Sequence, residues 1–245
     1  MTATASAAAL PIAVVTGLAF EARVAAGLGV VTICGSAATI ADRLADVVAR
    51  GCRGIVSFGI AGGLSPDVKP GVCIVARSVV TEKERHHAHA EWSQRLLQLV
   101  PGAIHADIAH SPVAISTADH KQELARTTGA AIVDMESGLA ARIAAANSLP
   151  FAALRVVADP HDRALPPAAQ IPLRHNGTPN LTAVMFSVMA QPKQIGSLIR
   201  VGRDTGRARA ALTYSRQFIG SGFGFDEPEL AKAFIPANAG MVVPA

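Results

Sequence analysis

Four short apolar runs lead into residues able to do chemistry. Val133-Asp134-Met135-Glu136 and Phe151-Ala-Ala-Leu-Arg155-Val-Val-Ala-Asp159-Pro160 each pass from an apolar stretch to a carboxylate, with one amphipathic stretch between them. Ile12-Ala-Val-Val-Thr16 is followed by Glu21, and Gly54-Ile-Val-Ser-Phe58 by Gly59-Ile60-Ala61-Gly62-Gly63. Carboxyl groups move protons and accept hydrogen bonds. In an α/β sheet the C-terminal ends of strands are where ligands bind, so an acid placed directly after a buried run points to a site rather than to packing. Ala61 and Gly62 offer backbone that a ligand can approach, because glycine has no Cβ to block it. A plain tight turn explains the same residues. The run is not a dinucleotide fingerprint, since the pattern begun at Gly59 meets Ala61 and Leu64 where glycines are required.

The elements that must hold these positions follow from periodicity. Apolar runs at 12–16, 30–34, 54–60, 72–80, 103–109, 112–115, 130–134 and 151–158 read as strands. Helical spacing is clear over 37–50, where Ile40, Leu44, Val47 and Val48 share one face, and again over 117–128 and 137–147. The alternation predicts a three-layer α/β/α sandwich with a mixed, largely parallel central sheet. Beyond Asp159, Pro160, Pro166, Pro167 and Pro172 mark an irregular loop, and Pro179 opens a helix. Helices are expected over 181–190 and 194–214, separated near Pro192. The expected organisation is a frayed leader over 1–10, one domain over 11–216, and a partly ordered tail over 217–245.

Bulk properties bound the answer. A chain of 245 residues, half of them apolar, buries a full core. With 16% charged residues and one Trp and one Tyr, that core is built from Ala, Val, Leu and Ile. No apolar run reaches the ~18 residues of a membrane span, and the first ten residues lack the positive flank of a signal peptide, so a cytoplasmic protein is expected. Cys34, Cys52 and Cys73 are odd in number and widely spaced, which predicts reduced, buried thiols and no zinc site. Between Gln191 and Arg216 six basic residues stand against Asp204 alone, a surplus of +5 that exceeds the +4 of the whole chain. The remainder is near neutral, and nucleic-acid binding is not suggested.

Taken in order, Glu21, Gly59-x-Ala-Gly-Gly-Leu64, Val133-Asp-Met-Glu136 and Arg155-Val-Val-Ala-Asp159 resemble the purine nucleoside phosphorylase and nucleosidase superfamily, in the branch of the methylthioadenosine/S-adenosylhomocysteine nucleosidases. The resemblance covers about residues 12–160. Beyond 160, the Pro-rich loop and the run Gln191-Pro-Lys-Gln-Ile195 to Leu212 look like the hopanoid-associated phosphorylases, which remove adenine from adenosylhopane.

The resemblance implies cleavage of an N-glycosidic bond, with no metal or organic cofactor. Asp159 matches the acid that protonates the purine at N7, a role that needs burial to hold its proton near neutral pH; capping of the Pro160 turn is the plainer role. Glu136 and Met135 match the residues that hold the ribose, and a helix-start acid is the alternative for Glu136. Glu21 matches the base that activates water, against a helix-start role or a pair with Arg23. Relatives that use phosphate hold it with arginine and serine near the third strand. Here that stretch reads Ser57-Phe58-Gly59-Ile60, so the residues lean towards water, with Arg23 left as a phosphate ligand. Small soluble nucleosides such as methylthioadenosine are the alternative substrates, and a homodimer is implied.

Three features stand outside this scheme. His86, His87 and His89 read as a solvated loop rather than a metal cluster. His120 and Lys121 fall near the region that lines the base pocket in relatives, with no role assigned. The basic stretch 191–216 reads either as a helix with a solvated basic face or as a contact with the inner membrane surface.

Overall fold

The structure is a computed structural model that describes residues 10–171, 178 and 180–225. Pro172 and Pro179, most of the expected leader and the tail beyond Phe225 lie outside the described residues. Eight strands form one mixed sheet: β1 (Ile12–Thr16), β2 (Val30–Cys34), β3 (Gly54–Gly63), β4 (Cys73–Val80), β5 (Arg85–His87), β6 (Ile104–His110), β7 (Ile132–Asp134) and β8 (Phe151–Asp159). The helices are α1 (Ala19–Ala25), α2 (Ala37–Arg50), α3 (Ala90–Leu99), α4 (Ala118–Thr128), α5 (Ser137–Ala146), α6 (Leu181–Ala190) and α7 (Ile195–Phe218).

The strand order is β2-β1-β3-β7-β6-β4-β5, with β8 paired to both β3 and β4. Because β3 also pairs with β7, and β4 with β6, the five strands β3, β7, β6, β4 and β8 close into a ring. Long β3 is the hinge of this arrangement. Its last residues pair with β7 at Gly62↔Val133 and with β8 at Gly62↔Asp159, after a register shift that follows Ala61↔Val157. A bulge adds one residue to one strand and re-aims the residues beyond it. Here it sets Asp159 opposite Gly62.

Both faces of the sheet are covered, so successive residues of β1 enter different cores. Ala13 and Val15 join Ile40, Leu44 and Val47 of α2 and Ala140, Ala141 and Ala144 of α5. Ile12 and Val14 join Trp92 and Leu96 of α3, Ala208 and Leu212 of α7, and Phe223 and Phe225. This is the sandwich expected of strands rich in Val and Ile.

The structure departs from the sequence expectation in several places. Residues 112–115 form no strand: Pro112 has no N–H to give a ladder, the Ser111 hydroxyl donates to Val113 O at 2.6 Å, and Val113 is exposed. Arg85–His87, read as loop, are an edge strand antiparallel to β4. Helix α3 was not expected, and α1 only through the helix-start role weighed for Glu21. The core also runs past residue 216: Trp92 Nε1 donates to Phe223 O at 2.7 Å, and the Phe225 ring stands edge-on to Trp92 at 4.7 Å. Cys52 and Cys73 are buried and free, and burial pushes the Cys73 thiol up to about 11, but Cys34 is only half-buried.

Candidate active site

The site is assembled along the last turns of β1, β3, β7 and β8. Glu21 sits in the first turn of α1 and folds back on it, accepting from the amides of Gly17 at 2.9 Å and Leu18 at 2.8 Å. Its other oxygen accepts from the Ile60 amide of β3 at 2.7 Å. The helix-start role is thus real, yet it does not exhaust the group, because two carboxylate oxygens offer about four acceptor positions. Glu21 is buried, and burial raises its pKa against the nearby Arg155 guanidinium and the three amides.

Glu136 stands just before α5 but makes no capping bond with its side chain. That duty falls to Asp134, whose Oδ1 accepts from the Ser137 amide at 3.0 Å. Glu136 is freed to face Arg155, with Oε2 at 3.2 Å from Nη2. Its carboxylate lies against Gly17, where any Cβ would collide with it. Met135 beside it is 43% exposed.

Arg155 is the centre of this end of the site. It projects from β8 in a run of otherwise apolar residues and is fully buried. Its Nε lies 2.8 Å from Asp134 Oδ2 as an ion pair, without the alignment of a hydrogen bond. Nη2 donates to the Ser57 hydroxyl, and the Ser137 hydroxyl bridges Ser57 at 2.9 Å and Asp134. Gly59 lets Glu21 and Arg155 approach β3, since a Cβ there would meet both side chains. Burial pushes Glu136 up to about 7; Arg155 opposes the shift, while Asp134 and Glu21 add to it.

Three residues further along β3, a rise of about 10 Å, lies the second end. Here Asp159 Oδ1 is 3.4 Å from where a Cβ on Gly62 would stand. Asp159 Oδ2 is paired with Lys121, which enters from α4. Burial raises the Asp159 pKa, and the ammonium of Lys121 works against that rise.

Of the residues expected from sequence, Glu21 and Glu136 meet at Arg155, and Ala61 and Gly62 lead from there to Asp159. Arg23 does not join them. It is exposed, two residues from Glu21 and therefore about 200° round the helix at 3.6 residues per turn. Arg155, Ser57, Ser137 and Lys121 are the polar groups for which sequence reasoning assigned no role. The signal for Arg155 was available: a charge inside a nine-residue apolar strand must be paired to be buried. His89 caps α3 through Nδ1, and His86 faces Glu84 at 3.3 Å. Among the described residues no group of three or more His, Cys, Asp or Glu is placed to hold a metal ion. Two surface hollows of about 350 and 410 Å³ lie by α5, and neither is lined by the acids.

The C-terminal helices carry a different surface. On α6, Met185, Phe186 and Met189 are 65, 68 and 72% exposed. Ile195 and Ile199 of α7 are also exposed, as are Lys193, Arg200 and Arg203. The basic stretch is less free than its composition implies. Arg207 pairs with Asp204, Arg209 lies over the Phe20 ring, and Arg216 stacks on Phe223 and donates to Ala25 O and Gly220 O. No described helix is long and apolar enough to cross a membrane.

Comparison with known proteins places the chain in a family. The chain matches the sequence model of the phosphorylase superfamily over residues 24–173. It belongs to that superfamily and is an enzyme of the nucleosidase or phosphorylase kind. No curated protein sequence matches it. Among solved structures it is similar to the 5'-methylthioadenosine/S-adenosyl homocysteine nucleosidase of Helicobacter pylori, with a TM-score of 0.62 and 12% identity over 86% of this chain and 96% of that one. Futalosine hydrolase of the same bacterium gives a TM-score of 0.59 and 14% identity over 86 and 99%. The S-adenosylhomocysteine nucleosidase of Streptococcus pyogenes, in complex with 5-methylthiotubericidin, gives 0.58 and 14% over 86 and 97%.

Proposed function

We propose that the protein cleaves the N-glycosidic bond of an adenine nucleoside. The observation that carries this is the pairing of two acidic centres along β3, with Glu21, Glu136 and Arg155 at one end and Asp159 at the other. Asp159, whose pKa burial raises, gives its proton to purine N7, so that the base leaves neutral. Glu136 and Met135 hold the ribose, and the Glu136 carboxylate sits beside the positive charge that grows on the sugar. Glu21 orients a water for attack at C1′, and the backbone of Ala61 and Gly62 lies against the substrate. With phosphate as acceptor Arg23 would have to turn inward, and its outward placement favours water.

Adenosylhopane is the preferred substrate, giving adenine and a ribosylated hopanoid. The sequence beyond residue 160 supports it, as does the apolar surface of α6 with its basic border. That surface would rest on the inner membrane, with the rest of a homodimer in the cytoplasm. Small nucleosides are the second reading, favoured by the likeness to nucleosidases named for methylthioadenosine and S-adenosylhomocysteine.

Adenine release from adenosylhopane in detergent, with and without phosphate and beside methylthioadenosine, tests both. Phosphate-independent release from the lipid is the expected result. A strict phosphate requirement would make Arg23 the residue to pursue. Turnover of methylthioadenosine alone would remove the lipid substrate. Replacing Met185, Phe186 and Met189 by serine is expected to abolish sedimentation with anionic vesicles while sparing turnover of a soluble nucleoside. Unchanged sedimentation would sink the membrane contact.

A further inference from the structure

Lys121 is the single fully buried residue of α4, with a side chain only 1% exposed. Hydrophobic burial selects the opposite, since lysine is almost never enclosed unless paired. An ammonium has three N–H donors, and three oxygens receive them: Asp159 Oδ2, Pro160 O at 2.7 Å and Arg163 O at 3.2 Å. This set engages only one oxygen of the carboxyl group. The other, Oδ1, is the nearer of the two to the Cβ-free side of Gly62, at 3.4 Å against 3.6 Å from where a Cβ would stand.

We propose that Lys121 is a positioning residue for the proton donor: it anchors Asp159 Oδ2, turns Oδ1 towards the base, and stabilises the carboxylate left behind. The proposal rests on Asp159 being the acid. As the C1′–N9 bond breaks, its electron pair passes to the base and the Oδ1 proton passes to N7. Asp159 becomes an anion, and the ammonium that faces it is already in place, so no group need move to meet the new charge. The other charges facing Asp159 are Arg163 and Asp204 of α7, which pair with each other at 2.6 Å. A purely structural lysine would instead be a clamp on the loop at 160–163, through the two carbonyls it also holds.

The two roles separate in Lys121→Met and Lys121→Gln, the second of which keeps a donor for the loop. Loss of a facing cation is expected to raise the Asp159 pKa by about 1–3 units. This is read by carbon-13 titration of the aspartate carboxyls, with Asp159→Asn to assign the signal. The alkaline limb of kcat/KM for adenine release, which reports the free enzyme, is expected to rise by the same amount. The plateau kcat should fall on the order of tenfold or more through misplacement of the acid, with KM changed less, and Lys121→Arg should keep the limb where it is. A folded variant whose Asp159 titration and alkaline limb stay in place overturns the proposal and leaves the clamp. If the wild-type protein releases no base from any nucleoside, the proposed function fails, while the carboxyl titration still decides whether Lys121 controls Asp159.

Discussion

Around Arg155 three carboxyl groups share one guanidinium, whereas at the far end of β3 one carboxyl faces one ammonium. Burial raises the pKa of a carboxyl group at both ends, but the balance differs. At the first end burial is reinforced by surplus negative charge, because closely placed carboxylates in a buried site resist ionising together. Glu136, pushed to about 7, takes up that surplus. At the second end burial, with a smaller push from Asp204, works against the attraction of Lys121 and Arg163. The same burial is thus opposed by a shared guanidinium at one end and chiefly by a single ammonium at the other.

The largest effect is expected from removing the shared cation. Arg155→Met leaves Glu21, Asp134 and Glu136 without a counter-charge, and breaking buried pairs costs about 3–5 kcal/mol. Urea unfolding at pH 7.5 reads this, and the gap to wild type should narrow at pH 5.5, below the value of about 7 at which Glu136 takes up its proton. A gap independent of pH would mean that packing rather than charge explains Arg155. Next comes Asp159→Asn, which is expected to lower kcat for adenine release by at least about 100-fold. A variant within tenfold of wild type would deny the second end its part in the chemistry.

The smallest effect concerns stability against pH. A carboxyl raised in the fold keeps a proton that the unfolded chain has released, so stability is greatest at low pH and declines as pH rises. For Glu136 the window runs from the ordinary 4.5 to about 7, and the loss between pH 5.5 and 7.5 is about 2 kcal/mol. The raised pKa values of Glu21 and Asp159 act in the same direction. Glu136→Gln should flatten the decline measured by urea unfolding at several pH values. An equally steep decline in the variant would assign it to the other acids.

The acids of the site were legible because each follows an apolar run, and strand ends can be read from local pattern. The sandwich was legible for the same reason. What was hidden depends on residues far apart in the chain. Arg155 was visible as a letter in a motif, but its partners Ser57, Asp134 and Glu136 come from β3, β7 and the start of α5. Lys121 lies in a polar helix whose pattern predicts exposure, and only the return of the chain at Pro160 and Arg163 buries it. Periodicity failed at 112–115 because it does not register a serine hydroxyl that closes a turn. The surplus of basic residues over 191–216 was legible as a count, but composition does not show that Arg207, Arg209 and Arg216 are engaged within the fold.

The contact between Trp92 and the segment after α7 has an optical consequence. Trp92 is the sole tryptophan of the chain, it is fully buried, and its indole N–H is bound to Phe223 O. Its emission therefore reports the docking of the C-terminal turn, from a position apart from the acids. The protein carries its own fluorophore for watching that turn leave and return, with no label added and no substrate present.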